Sequence, residues 1–220
     1  MEAAPALARR PIKARDSRWA AAAASFLARR GVTPDAISIA SIAFAGIAAL
    51  AFLALRFDSA PTARAVLFIV AIAGIQGRLV CNLLDGMVAI EGGKKTRSGG
   101  VFNELPDRIS DPLIIVPLGY AIPGLPHAAA LAWFTALMAV LTAYVRALGR
   151  TTGTPDFFIG PMAKQHRMAT LTVACALCIP GSFWSLDGPI LYVALIVVGA
   201  GSAVTIVRRT VRIVRTLGNQ

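Results

Sequence analysis

Six apolar stretches, each long enough to cross a bilayer, dominate this chain and leave it few ways to fold. A hydrocarbon core of about 30 Å takes about 20 helical residues, and the stretches run approximately over 36–56, 65–90, 101–123, 127–148, 163–184 and 187–208. Charged residues make up 15% of the chain, well under the roughly 25% usual in soluble domains, and mean hydropathy is +0.68. The pattern predicts an all-α bundle of six transmembrane helices in one domain spanning 36–208, because no Ser/Gly- or Pro-rich linker divides the chain. There is no internal repeat, no low-complexity tract and no G-x-x-x-x-G-K-[ST] nucleotide loop.

Residues 1–35 are basic and Ala-rich but lack the continuous apolar core and small-residue cleavage site of a signal peptide. They are expected to remain in the mature protein as a cytoplasmic juxtamembrane segment. Within it, "DSRWAAAAASFLARRGVTPD" predicts an amphipathic helix lying along the surface. Trp19, Phe26 and Leu27 would face lipid, with Arg18, Arg29 and Arg30 toward headgroups. "GVTPD" then breaks that helix, and Thr33 or Asp35 can cap the next one with Pro34 in its first turn.

A net charge of +11 raises the question of nucleic acid, but the placement of the charges points to membrane topology instead. Arg9, Arg10, Lys13, Arg15, Arg18, Arg29 and Arg30 precede the first stretch. Lys94, Lys95 and Arg97 follow the second; Arg146, Arg150, Lys164 and Arg167 surround the fourth-to-fifth connection; Arg208, Arg209, Arg212 and Arg215 mark a basic tail, 209–220. The opposite side holds only Arg56 and Arg64. By the positive-inside rule both termini and the two long connections are cytoplasmic. Cys81, Cys175 and Cys178 all lie in apolar segments and read as core packing rather than zinc or redox chemistry.

With that topology the polar residues inside the stretches gather at one depth on the cytoplasmic side. Asp85 lies near the end of the second stretch; Asn103, Glu104, Asp107 and Asp111 open the third; Arg146 closes the fourth; Lys164 and Arg167 open the fifth. Ionisable residues inside spanning segments are expensive, and a cluster of them is a functional site by default. Arg78, Asn82, Asp85, Gly86 and Ala89 recur at three- and four-residue spacing, so they share a helix face, and Asn103, Asp107 and Asp111 do the same on the next helix. Gly86 and Ala89 keep the first face low enough for close approach. Two such faces turned together gather carboxylates around a small volume, which suits a hard divalent cation used with phosphate substrates. An alternative reading of the same acids makes them ion-pair partners of Arg78 and Arg108.

"DGMVA", nine residues, then "GGVFNELPDRISD" resembles the signature of the CDP-alcohol phosphatidyltransferases, D-x-x-D-G-x-x-A-R, eight residues, then G-x-x-x-D-x-x-x-D. The resemblance places Asp85, Gly86, Ala89, Gly99 and Asp107 on motif positions, and six helices with a surface helix and "GVTP" before the first extend it over nearly the whole chain. Asn82, Ile90 and Asn103 stand where the family has Asp, Arg and Asp. The resemblance implies an inner-membrane, multi-pass enzyme whose site faces the cytoplasm. A hydroxyl of a small alcohol would attack the β-phosphorus of CDP-diacylglycerol and CMP would leave, in phospholipid biosynthesis.

It implies Asp107 as the base; Asp85, Asn82 and Asn103 as metal ligands for Mg²⁺ or Mn²⁺, with Glu104 or Asp111 restoring a carboxylate; and Gly86, Ala89 and Gly99 at the cytidine nucleotide. Arg108, Arg146, Lys164 and Arg167 resemble the basic pocket of members whose acceptor already carries a phosphate, glycerol 3-phosphate being the first choice. His166 reads as an interfacial histidine. The implied partners are CDP-diacylglycerol, the acceptor and membrane lipids, with homodimers common in the family and no nucleic acid. The departures at Asn82, Ile90 and Asn103 motivate a second class of reading, a family-derived protein that binds nucleotide-lipid or metal without turnover, and the buried acids a third, a small transporter.

Overall fold

The computed structural model describes residues 17–57, 60–91, 99–122 and 124–219, without the side chains of Glu91 and Asn103. The basic residues of 1–16 and Lys94, Lys95 and Arg97 lie outside the described residues. Those described form seven α-helices and no strand: α1 (Arg18–Arg29), α2 (Pro34–Ala54), α3 (Pro61–Glu91), α4 (Gly99–Tyr120), α5 (Ala128–Thr151), α6 (Lys164–Gly181) and α7 (Asp187–Leu217), with a 3₁₀ turn Ser182–Trp184 after α6.

Helices α2, α3, α5, α6 with its following turn, and α7 are long and apolar enough to cross a membrane. The 22-residue α4 would reach about 33 Å at 1.5 Å per residue, but it carries Glu104, Asp107, Arg108 and Asp111, and Pro106, Pro112 and Pro117 lie inside it. Each proline removes one backbone donor from the helix ladder, a loss that neighbouring helices in a membrane bundle can make good.

Local signals set several boundaries. The Thr33 hydroxyl accepts the Ala36 N–H at 3.2 Å, capping α2 with Pro34 as its first residue, the arrangement expected from "GVTPD". Pro61 opens α3 four residues before the apolar run begins, a position where its missing N–H costs nothing. The largest departure is at α7, which continues to Leu217 rather than ending near 208. Apolarity marks how much of a helix lies in lipid; helix propagation needs only good helix formers, and arginine is one.

Six helices close into a ring in the spatial order α3, α2, α4, α5, α7, α6, and α1 lies against α3. Ala20 and Ala24 of α1 are buried beside Leu84, Met87 and Val88, while Trp19 and Phe26 are exposed. The ring encloses Phe52, Phe68, Ile75, Ile114, Ile115, Leu118, Met168, Leu171, Leu191 and Leu195, interleaved with many alanines. In lipid, association of helices rests on close packing, which small residues permit. Gly74 shows how close: a Cβ there would lie 2.7 Å from the Phe44 carbonyl oxygen and 2.8 Å from the Ala48 nitrogen on α2. The free thiols of Cys175 and Cys178 are buried in this core, as their apolar setting implied.

At the end where α2 stops and α3 and α7 start, Arg64 ties the bundle. Its Nε donates to Asp187 Oδ2 at 2.6 Å and its Nη1 to the Leu55 carbonyl at 2.7 Å, and both members of the ion pair are largely shielded. Removing one partner of such a pair strands the other charge, so Asp187→Ala should cost roughly 3 kcal/mol. The check is the thermal midpoint of the purified protein in detergent, which should fall for Asp187→Ala and far less for Asp187→Glu.

Candidate functional site

The opposite end of the bundle collects the charged residues of four helices. On α3, Asp85 is 4% exposed. Its Oδ2 accepts the hydroxyl of Ser38 on α2 at 2.7 Å, and its Oδ1 accepts the Gly86 N–H at 2.5 Å. Among the described residues no Lys or Arg lies within ion-pairing distance of it, so this carboxylate is buried on neutral donors alone. One turn earlier on the same face, the Asn82 amide nitrogen is buried without a partner. Gly86 and Ala89 continue that face and are half-buried.

On α4, Asp107 and Asp111 are gripped from three sides. Arg78, reaching across from α3, places Nη2 2.6 Å from Asp111 Oδ1 and 3.2 Å from Asp107 Oδ1. Arg167 of α6 donates through Nη2 to Asp111 Oδ2 at 2.6 Å, and its Nη1 reaches Thr142 Oγ1 and the Met162 carbonyl. Lys164 donates to Asp107 Oδ2 at 2.6 Å. Arg78, Asp111 and Arg167 are each no more than 1% exposed. Taking such ions out of water costs several kcal/mol apiece, which their mutual attraction offsets only when the geometry and the remaining hydrogen bonds are good. Asp111 meets that condition, because a guanidinium occupies each of its oxygens.

Nearer the rim, Glu104 accepts from Arg146 of α5 at 2.5 Å through Oε1 and from Arg108, one turn along α4, through Oε2. The Arg146 guanidinium lies over the Phe158 ring, 5.4 Å from its centre, which holds a half-buried cation in place on its unpaired face. Arg150 pairs with Asp156 and takes no part in the cluster. His166 is exposed, its Nδ1 2.8 Å from the Pro161 carbonyl. Behind the cluster, Arg209 of α7 donates to the carbonyls of Thr142 and Ile159, fixing the end of α5 and the segment before α6.

The structure thus brings Asp85, Asp107, Asp111, Lys164 and Arg167 to one end of the bundle, with Arg108 and Arg146 beside Glu104. Gly99 stands at the first position of α4; Asn103 is helical, and its side chain lies outside the described residues. Arg78 and Arg108 do pair with the α4 acids, which is the alternative reading of those residues. Sequence reasoning passed over Ser38 and Thr142, and it read Arg209 only as part of the basic tail. Serine and threonine are common in spanning helices, and only proximity reveals which carboxylate or guanidinium they serve.

Among the described residues no three His, Cys, Asp or Glu side chains form a metal-sized group. The donor chemistry nonetheless fits one hard cation at the α3 end: Asp85 is a buried carboxylate with no ion-pair partner in contact among the described residues, and the Asn82 carbonyl oxygen would be its neighbour on the same helix face. At the α4 end the carboxylate oxygens are already taken by Arg78, Lys164 and Arg167.

No family model matches the chain. It is similar to the inner membrane protein YnbA of Escherichia coli, 28% identical over 143 residues, which is 64% of this chain and 66% of that protein. It spans just under two thirds of that relative's length. It is also 28% identical over 197 residues to a phosphatidylinositol phosphate synthase of Streptomyces avermitilis, covering 87% of this chain and 76% of that one. Among solved structures, the phosphatidylinositol phosphate synthase of Mycobacterium tuberculosis with CDP-DAG bound matches at a TM-score of 0.67 and 22% identity, over 90% of this chain and 94% of that one. The same synthase in complex with manganese and citrate matches at 0.66 and 21%, over 88% of each chain. A multi-pass membrane bundle with the fold of that synthase is therefore what the described residues build.

Proposed function

We propose that the protein is a membrane phosphatidyltransferase that moves a phosphatidyl group from CDP-diacylglycerol to a small phosphorylated alcohol and releases CMP. The observation that carries this reading is the pairing, at one end of a lipid-embedded bundle, of a buried carboxylate outside any ion pair, Asp85, with an acid-base cluster fed by three helices. The names of the Streptomyces avermitilis relative and of the similar solved structures, phosphatidylinositol phosphate synthases, support it, and they make inositol phosphate the first acceptor in place of glycerol 3-phosphate. The charge asymmetry of the loops supports a site open to the cytoplasm, where CDP-linked donors and sugar phosphates meet the inner membrane.

In the proposed reaction the acceptor hydroxyl oxygen bonds to the β-phosphorus, and the bond from that phosphorus to the bridging oxygen breaks. CMP leaves with the bond's electron pair. A divalent cation bound at Asp85 and the Asn82 carbonyl oxygen would neutralise charge on the diphosphate. The motif resemblance offers Asn103 on α4 as a further ligand, whereas Glu104 and Asp111 are already engaged by arginines. Gly86 and Ala89, lacking bulk, leave room for the cytidine beside α3, and Gly99 does the same at the start of α4.

Asp107 is the proposed base, and its Oδ2 is held by Lys164. An incoming acceptor phosphate competes for that ammonium group and for Arg146 and Arg108, which frees Oδ2 to take the hydroxyl proton. Arg167 remains on Asp111 and holds the α4 acids in place. Bidentate Arg and point-charge Lys contacts of this kind favour an acceptor that carries its own phosphate.

The test is CMP release by purified protein given CDP-diacylglycerol, Mg²⁺ or Mn²⁺, and a panel of phosphorylated and unphosphorylated alcohols. Release should require the metal, stop with chelator and favour a phosphorylated acceptor. Lys164→Ala should raise KM for that acceptor by about 10- to 100-fold, the loss of one or two charge-assisted contacts. Absence of CMP with every acceptor would overturn the proposal.

A further inference from the structure

Arg78 has no exposed surface, and only one of its three guanidinium nitrogens is partnered. Nη2 bridges Asp107 Oδ1 and Asp111 Oδ1, whereas Nε and Nη1 are buried with no hydrogen-bond partner. Unpaired buried donors on a charged group are costly, and a guanidinium presents its donors as a rigid fork suited to phosphate. The side chain rises from the α3 face that carries Asn82 and Asp85, one and two turns further on.

Charge points the same way. Asp85, Asp107 and Asp111 are matched one for one by Arg78, Lys164 and Arg167. The residues at the helical spacing where further anionic ligands would stand, Asn82 and Asn103, are amides. One divalent cation at Asp85 would balance the two negative charges of a diphosphate. A second cation on Asp107 and Asp111 would have to displace Arg78 and leave the site strongly positive.

On the phosphatidyltransfer reading, which this deepens, we infer that Arg78 takes the place of a second divalent cation. Its Nη2 bridges two carboxylates as a metal ion would, and its unpartnered Nη1, on the neighbouring corner of the guanidinium, donates to a diphosphate oxygen of the donor. The site then works with one metal and one guanidinium.

Manganese stoichiometry tests this directly. Full-length protein in detergent, titrated with Mn²⁺ in the presence of CDP-diacylglycerol and followed by electron paramagnetic resonance, should bind one Mn²⁺ per chain at this site. The triple variant Arg78→Gln, Asn82→Asp, Asn103→Asp should bind two. Two ions or none in the wild-type protein would overturn the inference whether or not the triple variant folds. Arg78→Lys keeps the charge but loses the fork; it should weaken equilibrium binding of CDP by about 30-fold, and unchanged binding would also overturn the inference. CMP release by the same wild-type preparation reports separately on the reaction: release with two bound ions would sink the role of Arg78 and leave phosphatidyl transfer standing.

Discussion

Asp85→Asn is expected to lower CMP release by about three orders of magnitude, or ~4 kcal/mol at 1.36 kcal/mol per tenfold, while leaving the fold intact. The substitution keeps the size of the side chain and a carbonyl oxygen that can still accept the Ser38 hydroxyl. It removes the one buried negative charge in the cluster that has no positive side chain against it. Stability should hold, because a buried charge resting on neutral donors is expensive to keep. Metal affinity should fall with activity, so raising Mn²⁺ should recover only part of the rate. Steady-state kinetics against Mn²⁺ concentration, with a thermal melt of the same sample, check both halves; a variant within about tenfold of wild type would remove Asp85 from the proposed metal site.

Asp111→Ala should behave in the opposite manner, with the damage falling on the structure. Arg78 and Arg167 each lose a 2.6 Å partner and remain buried. Breaking a buried ion pair from one side typically costs 3–5 kcal/mol, which for a chain of this length is a fall of roughly 10 °C in thermal midpoint. Asp111→Asn should be milder, since it can still accept from one guanidinium. A loss below about 1 kcal/mol for Asp111→Ala would mean that the cluster contributes little to holding α3, α4 and α6 together.

These two carboxylates illustrate what the sequence made legible. Hydropathy and the placement of Lys and Arg were enough for a helical membrane bundle with its acids gathered at one end. Helical spacing put Asn82 and Asp85 on one face and Asp107 and Asp111 on another. Spacing cannot tell which cation faces which anion, because that depends on how α3, α4 and α6 are rotated against one another. Arg78 was visible as a neighbour of Asn82 along α3, yet its reach to two acids on α4 follows from the packing of both helices against α2. Likewise Ser38 looked like any serine in an apolar helix until the α2–α3 contact set it 2.7 Å from Asp85. The helix α7 outlasts its apolar stretch for a different reason: four arginines mark where the apolar stretch stops, and the helix continues past them.

Phosphatidyl transfer by this cluster would leave a direct chemical signature. It is tested most directly by following the label in CDP-diacylglycerol carrying ³²P at the β-phosphate, the phosphate attached to the lipid. With Mn²⁺ and inositol phosphate or another phosphorylated alcohol, label should appear in a more polar lipid that contains the acceptor, in step with unlabelled CMP. Asp107→Ala protein should produce neither. Label that stays in CDP-diacylglycerol with every acceptor, or that appears as readily with Asp107→Ala as with wild type, would contradict the account.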